Sequence, residues 1–169
     1  RFVLNNRTSK PLRVELTDAF SVAFSGAAEY LAHPAFANLF VGSQKLDHAT
    51  LVFTRRSCAK MPNTAALAHT VACDQPVSIQ CESDLYALIG REGALGEPGR
   101  IAQEFPQTLG CTANPASALR ASVTLAPGST GEIVFTIGLV AQDRLNVWRA
   151  RHADVENARK YRELSETQA

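Results

Sequence analysis

The sequence predicts a mainly β fold: an antiparallel β-sandwich followed by one C-terminal helix. Three observations predict it. Apolar and polar residues alternate over residues 12–24, and they alternate again over residues 119–125 and 133–139. From Asp143 onward the apolar spacing changes to three and four. The order is therefore an all-β body over residues 1–142, then an amphipathic helix and tail over residues 143–169.

Residues 1–5 read as a first strand and residues 5–11, which hold two asparagines and a proline, as its turn. The long strand follows. Leu12, Val14, Leu16, Phe20, Val22 and Phe24 fall on one face, while Arg13, Glu15, Thr17 and Ser21 fall on the other. Asp18 lies on the apolar side, which predicts a bulge or a break there. Weaker strand signals occupy residues 39–42, 50–55, 67–73 and 77–82. Residues 90–99 carry four glycines and a proline and read as a loop. The strongest hairpin signal joins Leu119, Ala121, Val123 and Leu125 to Ile133, Phe135, Ile137 and Leu139 through Pro127-Gly128-Ser129-Thr130-Gly131. The last element, with Leu145, Trp148, Val155, Ala158, Tyr161 and Leu164 on one stripe, reads as a single helix of about twenty residues. Trp148, the only tryptophan, is assigned to docking that helix, together with Leu145, Val155 and Tyr161.

A chain of 169 residues with 46% hydrophobic and 20% charged residues has an ordinary globular composition, not that of a disordered segment. A net charge of +1 gives no electrostatic reason to expect nucleic acid or an anionic membrane as partner. The longest apolar stretch, near residues 133–141, is far short of the ~20 residues that cross a bilayer. The first residue is Arg1 and no signal peptide is visible, so the chain reads as a processed or excised piece and as cytoplasmic.

Catalytic signals are missing. There is no Gly-x-Ser-x-Gly, phosphate-binding glycine loop, His-Glu-x-x-His or calcium loop, and His33, His48, His69 and His152 are scattered. Glu82 and Asp84 stand two apart, as a glycosidase pair would not, and read as a solvated strand edge. Cys58, Cys73, Cys81 and Cys111 form no Cys-x-x-Cys and are read as reduced thiols; a disulfide between Cys73 and Cys81 across a hairpin is the alternative. A zinc site from Cys58, His69 and Cys73 would need odd spacing and a fourth ligand. No cofactor or metal is expected. Asn6-Arg7-Thr8 has the form of a glycosylation acceptor, with nothing to indicate secretion.

One segment is more specific. His33-Pro34-Ala35-Phe36-Ala37-Asn38-Leu39-Phe40-Val41 resembles a motif in the β-sandwich of glycoside hydrolase family 94, the family of cellobiose phosphorylase and of the phosphorylase-like part of cyclic β-1,2-glucan synthase. Further pieces are similar in the same order: Asn6-Arg7-Thr8 through Leu16-Thr17, Thr54-Arg55-Arg56, Glu82-Ser83-Asp84 with Ile89-Gly90-Arg91, Leu125-Ala126-Pro127-Gly128 with Ile133-Val134-Phe135, and Ala141-Gln142-Asp143-Arg144 through Tyr161. The paired arginine and Ala68-His69-Thr70-Val71 lean toward the cyclic glucan synthase branch. The chain departs from the family pattern at Ser21 and at Glu92-Gly93.

The resemblance implies a partial galactose-mutarotase-like supersandwich that begins inside the domain. It also implies a function without catalysis of its own: an accessory domain of a β-glucan phosphorylase or synthase. Such a parent would be a glycosyltransferase or glycoside phosphorylase, soluble or held at the inner membrane with this region on the cytoplasmic side. The implied partners are the helical-barrel catalytic domain and a β-glucan, with His33, Pro34, Phe36 and Arg91 as carbohydrate-proximal loop candidates. For His33-Pro34 the competing assignment is structural: a turn that caps the long strand and packs Phe36 into the core. The isolated chain is expected to self-associate, through the open edge beside residues 1–5 or through the helix stripe. Alternatives from other classes are a free-standing carbohydrate-binding module and a structural interaction domain. One tryptophan and three scattered tyrosines make a poor sugar-stacking platform.

Overall fold

A computed structural model describes residues 1–57, 65–90, 93 and 103–166, with side chains to residue 164. Cys58 and residues 94–99 of the glycine-rich loop lie outside the described residues. Among the described residues, nine strands form two antiparallel sheets. They are β1 (Phe2–Asn5), β2 (Leu12–Ser21), β3 (Val41–Asp47), β4 (Thr50–Arg55), β5 (Ala65–Cys73), β6 (Val77–Asp84), β7 (Gly110–Cys111), β8 (Pro115–Leu125) and β9 (Thr130–Ala141). The larger sheet has the order β1-β9-β5-β4-β3-β7 and the smaller one β2-β8-β6. The fold is the β-sandwich that the alternation predicts.

The connections differ from the expectation. The sequence reads β8 and β9 as a hairpin, yet β8 pairs with β2 and β6, while β9 pairs with β1 and β5. The Pro127-Gly128 turn therefore carries the chain from one sheet to the other, with Gly128 at φ +69°. The β1–β2 and β5–β6 connections also switch sheets. Three such arches lie side by side. Asn6, fully buried, clasps two of them: its Nδ2 donates to the carbonyls of Lys10, Leu125 and Ala126 at 2.9–3.0 Å, and its Oδ1 accepts from the Thr8 amide and hydroxyl. Asp74 ties in the third by accepting from the Glu132 amide at 2.7 Å. The Asn6 amide is thus occupied as a structural brace rather than offered as a glycosylation acceptor.

The core between the sheets is built from alternate residues of each strand: Leu51 and Phe53, Val71, Leu119, Ala121, Val123 and Leu125, and Ile133, all essentially buried. Strand β2 is unbroken through Asp18, which pairs in register with Leu119. The expected bulge is absent because Asp18 has an inward partner, described below. Cys73 and Cys81 are free thiols, on strands of opposite sheets rather than on a hairpin.

The C-terminal segment is not one helix. A 3-10 turn over Gln142–Arg144 leads into α4 (Leu145–Arg151), and α5 (Val155–Glu166) follows a break. Asp154 makes the break: its carboxylate accepts from the Asn157 amide at 2.7 Å and caps the new helix. Both helices lie on the outer face of the larger sheet as a third layer. That face is prepared for them by small residues. Leu145 packs with Val52, Ala66 and Ala68, and Val155 and Ala158 pack with Ala72 and Val134. The inner residues of β5 meet the core while its outer alanines meet the helices, so this central strand is buried on both faces. The helix stripe is consequently not left unshielded: Leu145 and Val155 are covered by the chain's own sandwich.

Three more short helices were not legible as such: α1 (Ala27–Ala32), α2 (Pro34–Asn38) and α3 (Leu85–Ile89). The first two replace the expected turn at His33-Pro34, and β3 starts at Val41 rather than Leu39.

Candidate functional site

The candidate site is the helix pair α1–α2 and the strand end beside it. His33 closes α1 and opens α2 with extended φ (−147°), and Pro34 takes the first helical position, where its missing amide hydrogen is not needed. Ala37 and Asn38 turn inward, and Asn38 Nδ2 donates to the Ala113 carbonyl at 3.0 Å. That fixes which side of α2 faces out. Phe36, at 62% exposure, is on the outer side together with Leu39, while Leu31 projects from α1. The expectation that Phe36 packs into the core is therefore wrong: the five-residue helix buries its small residues and presents its ring.

Phe36 meets Phe40 edge to face, with ring centres 5.4 Å apart. The guanidinium carbons of Arg55 and Arg56 lie 5.7 and 5.9 Å from the centre of the Phe40 ring. Arg55 is anchored, donating to the Phe24 carbonyl at 2.8 Å and facing Glu29 at 3.4 Å. The Arg56 amide donates to the Phe40 carbonyl, which locks the strand end to the end of α2. The result is an exposed Phe36 against a half-buried Phe40, backed by the anchored Arg55 and the exposed Arg56, a surface able to stack on an apolar ring face and, through Arg56, to donate to hydroxyls or carboxylates. His33 and Pro34 are exposed at its border. Arg91 lies outside the described residues. Sequence reasoning noticed the Arg55-Arg56 pair only as a point of resemblance and missed its pairing with Phe40. The available signal was the position of two arginines at a strand end, where β4 pairs with β3 and so returns to Val41.

Two buried polar constellations were also missed. Asp18 Oδ2 lies 3.2 Å from His69 Nε2, and His69 Nδ1 pairs with Ser117 Oγ at 2.8 Å. The contact with His69 holds the Asp18 carboxyl below the ordinary range. The residue types match a nucleophile, base and orienting acid, but His69 and Ser117 are fully buried, so no substrate reaches them. Their work is to tie β5 to β2 and β8 across the sandwich. Glu82 corrects the expected solvated edge. It is fully buried and accepts from the amides of Ser83, Asp84 and Thr108 at 2.7–3.1 Å, which fixes a register shift in β6 and holds the 103–109 segment. Asp84 is diverted to capping α3 through the Tyr86 amide.

These features describe a sandwich whose buried acids and histidine are structural and which presents Phe36 beside Phe40 and the Arg55-Arg56 pair at the α1–α2 end. Compared with known protein families, residues 1–164 match the glycosyl hydrolase 94 supersandwich domain. The chain belongs to that family. No curated protein matches it. As a glycosyl hydrolase 94 supersandwich, it is an accessory domain of such enzymes.

In this supersandwich the residues assigned to helix docking occupy three settings. Leu145 and Val155 are in the helix–sheet contact. Trp148 packs against Gly138, so close that a Cβ there would stand 2.7 Å from the indole nitrogen. Tyr161 is farther out, its ring 5.6 Å from His152, which in turn stands 4.7 Å from Trp148. Burial, and then Arg151, pushes the His152 pKa down toward the neutral form. Ion pairs of Arg149 with Asp47, at 3.0 Å, and of Arg159 with Glu132 fasten the layer, and Arg1 pairs with the same Glu132 carboxylate. Glu132 is itself buried, and these two guanidiniums, Arg159 first, bring its pKa down to about 2.

Proposed function

We propose that this supersandwich serves a cyclic β-1,2-glucan synthase or a β-glucan phosphorylase, packing on the helical-barrel catalytic domain and presenting its α1–α2 end to carbohydrate. The reading rests on one observation: Phe36 is exposed against Phe40, with Arg55 and Arg56 behind it. A pyranose ring offers an apolar face to an aromatic ring and equatorial hydroxyls to a guanidinium, which matches Phe36 and Arg56. The domain contributes binding and position, and the barrel contributes the acid that protonates the leaving oxygen.

Titration of the chain with β-1,2-linked gluco-oligosaccharides, followed by amide chemical shifts, tests the reading. Shifts centred on Phe36, Phe40, Arg55 and Arg56, lost in Phe36→Ala but kept in His33→Ala, are expected. Shifts elsewhere, or none at millimolar sugar, would overturn it.

A further inference from the structure

Residues 103–114 cross from the smaller sheet to the larger one as a strap. From 103 to 109 the backbone joins no strand or helix, and Phe105 is the one buried residue there. Gly110 and Cys111 then pair with Ser43 and Gly42 as β7, and the Ala113 carbonyl accepts from Asn38 of α2 at 3.0 Å. Two buried charges lie under the strap. Glu82 and Arg120 project from β6 and β8 on the outer side of the smaller sheet, opposite the core-facing Cys81 and Leu119, and are 0% and 4% exposed. Neither has an ion-pair partner among the described residues.

The strap supplies much of what these charges bond to. The Thr108 amide donates to Glu82 at 3.1 Å, the Gln103 carbonyl accepts from Arg120 at 2.8 Å, and the Arg120 guanidinium carbon lies 4.1 Å from the centre of the Phe105 ring. The other partners of Arg120, Thr17 and Gln80, are neutral. Burial pushes the Arg120 pKa down, opposed by Glu15 through space. Burying an ion without a counterion is costly, so lifting the strap returns both side chains to water at a gain. Backbone strain acts in the same direction. Gln107, at φ +62°, is the one non-glycine residue with positive φ among the described residues. Against these stands the ring of Phe105, seated on Leu88 and Ala118.

We propose that the 103–113 strap is a switch for the α1–α2 surface: it opens as one unit, short of global unfolding, hydrates Glu82 and Arg120, and unseats α2 by releasing Asn38. The reach to α2 follows from how that helix is held. It has five residues and no side-chain cap, and it turns Ala37 and Asn38 inward. A helix this short does not persist without tertiary contact. When the Ala113 carbonyl leaves Asn38, the exposed ring of Phe36 loses its fixed position against Phe40. The link is reciprocal: a sugar that needs the seated Phe36 holds the strap closed. That last step rests on the carbohydrate reading above, whereas the opening and its reach to α2 do not.

Amide exchange followed residue by residue tests the switch without sugar. The Thr108 and Gly110 amides are held by the Glu82 and Ser43 side chains, and the Ala37 amide by the His33 carbonyl. These three should share one opening equilibrium, about tenfold or more further open than that of the β8 amides. Phe105→Ala should speed all three together. Arg120→Met deletes a hydrogen bond to the strap yet should slow all three by about threefold or more, because an apolar side chain gains nothing from water on opening. A residue that only pins the strap would give the reverse. Exchange of the three amides only together with β8 would overturn the proposal, as would faster exchange in Arg120→Met. So would Thr108 and Gly110 responding to these variants while Ala37 and the Phe36 ring resonances stay unmoved. A β-1,2-linked gluco-oligosaccharide should slow Thr108 exchange on binding, and binding at Phe36 that leaves Thr108 unchanged would also overturn the switch. Shared opening of strap and α2 with no sugar bound at Phe36 would support the switch and refute the carbohydrate reading alone.

Discussion

Replacing Gly138 by valine should change the sign of its effect according to whether Trp148 is present. A Cβ at residue 138 would stand 2.7, 3.0 and 3.1 Å from three atoms of the indole, inside the ~3.5–4.0 Å of ordinary carbon contact. The indole must then retreat by about 1 Å or more, and such overpacking costs about 1–3 kcal/mol. Against this, valine suits a strand better than glycine by up to about 1 kcal/mol. With Trp148 in place, Gly138→Val should therefore destabilise by about 1–2 kcal/mol net of that gain. In a Trp148→Ala background the clash is gone, and the same change should be neutral or stabilising by up to about 1 kcal/mol. Urea melts followed by far-ultraviolet circular dichroism give the four stabilities of the cycle. The native emission of the only tryptophan gives a second readout and should shift to the red in Gly138→Val as the ring loses its seat. Stabilisation by Gly138→Val with Trp148 present, and unchanged emission, would refute the idea that the indole rests on this glycine and that the helix layer docks through it.

Other outcomes follow from the same structure. Phe36→Ala should change stability by no more than about 0.5 kcal/mol in a denaturant melt, because the ring is exposed. Asn6→Ala should cost about 2–4 kcal/mol in the same melt, since it strips donors from carbonyls where two arches meet. Glu132 has a folded pKa of about 2, below its ordinary value of 4.5, so its contribution is fully present above that ordinary value and fades as pH falls toward 2. Acid-limb stability measured in wild type and Glu132→Gln should show a shallower decline in the variant over that window. Among the described cysteines of the native state, Cys111 should react with a thiol reagent first and Cys81 far more slowly, since Cys111 is exposed while Cys81 is buried and burial raises its pKa.

Much of the fold was legible because alternation in a strand reports which face is buried. It does not report which sheet a strand joins, and this is why the turn at Pro127-Gly128 passes for a hairpin. The arches become visible only through long-range partners such as Asn6 with Leu125 and Ala126. The helices α1, α2 and α3 are of five or six residues, too short for a period of 3.6 to register. The break before Val155 did carry a signal, Asp154 three residues before Asn157, which the longer apolar stripe overrode. Glu82 and Asp18 were misread for one reason. Without partners near in sequence, a charge on a strand reads either as a solvated edge, as Glu82 did, or as a break in the apolar face, as Asp18 did, and their partners, Thr108 and His69, are distant in sequence. For the candidate site, the motif around His33 led to the segment that holds α1 and α2 but packed the wrong side of α2 inward, because sequence alone does not say whether Ala37-Asn38 or Phe36 turns inward.

This chain is an accessory supersandwich whose buried acids and histidine hold the fold together, and the proposed reading leaves the chemistry to a separate catalytic domain. The most direct measurement incubates the purified chain with β-glucan oligosaccharides and inorganic phosphate and assays glucose 1-phosphate. None should form, since His69, Ser117 and Glu82 are sealed in the core. Phosphate-dependent release of glucose 1-phosphate that disappears on substitution of a residue of this chain would contradict it.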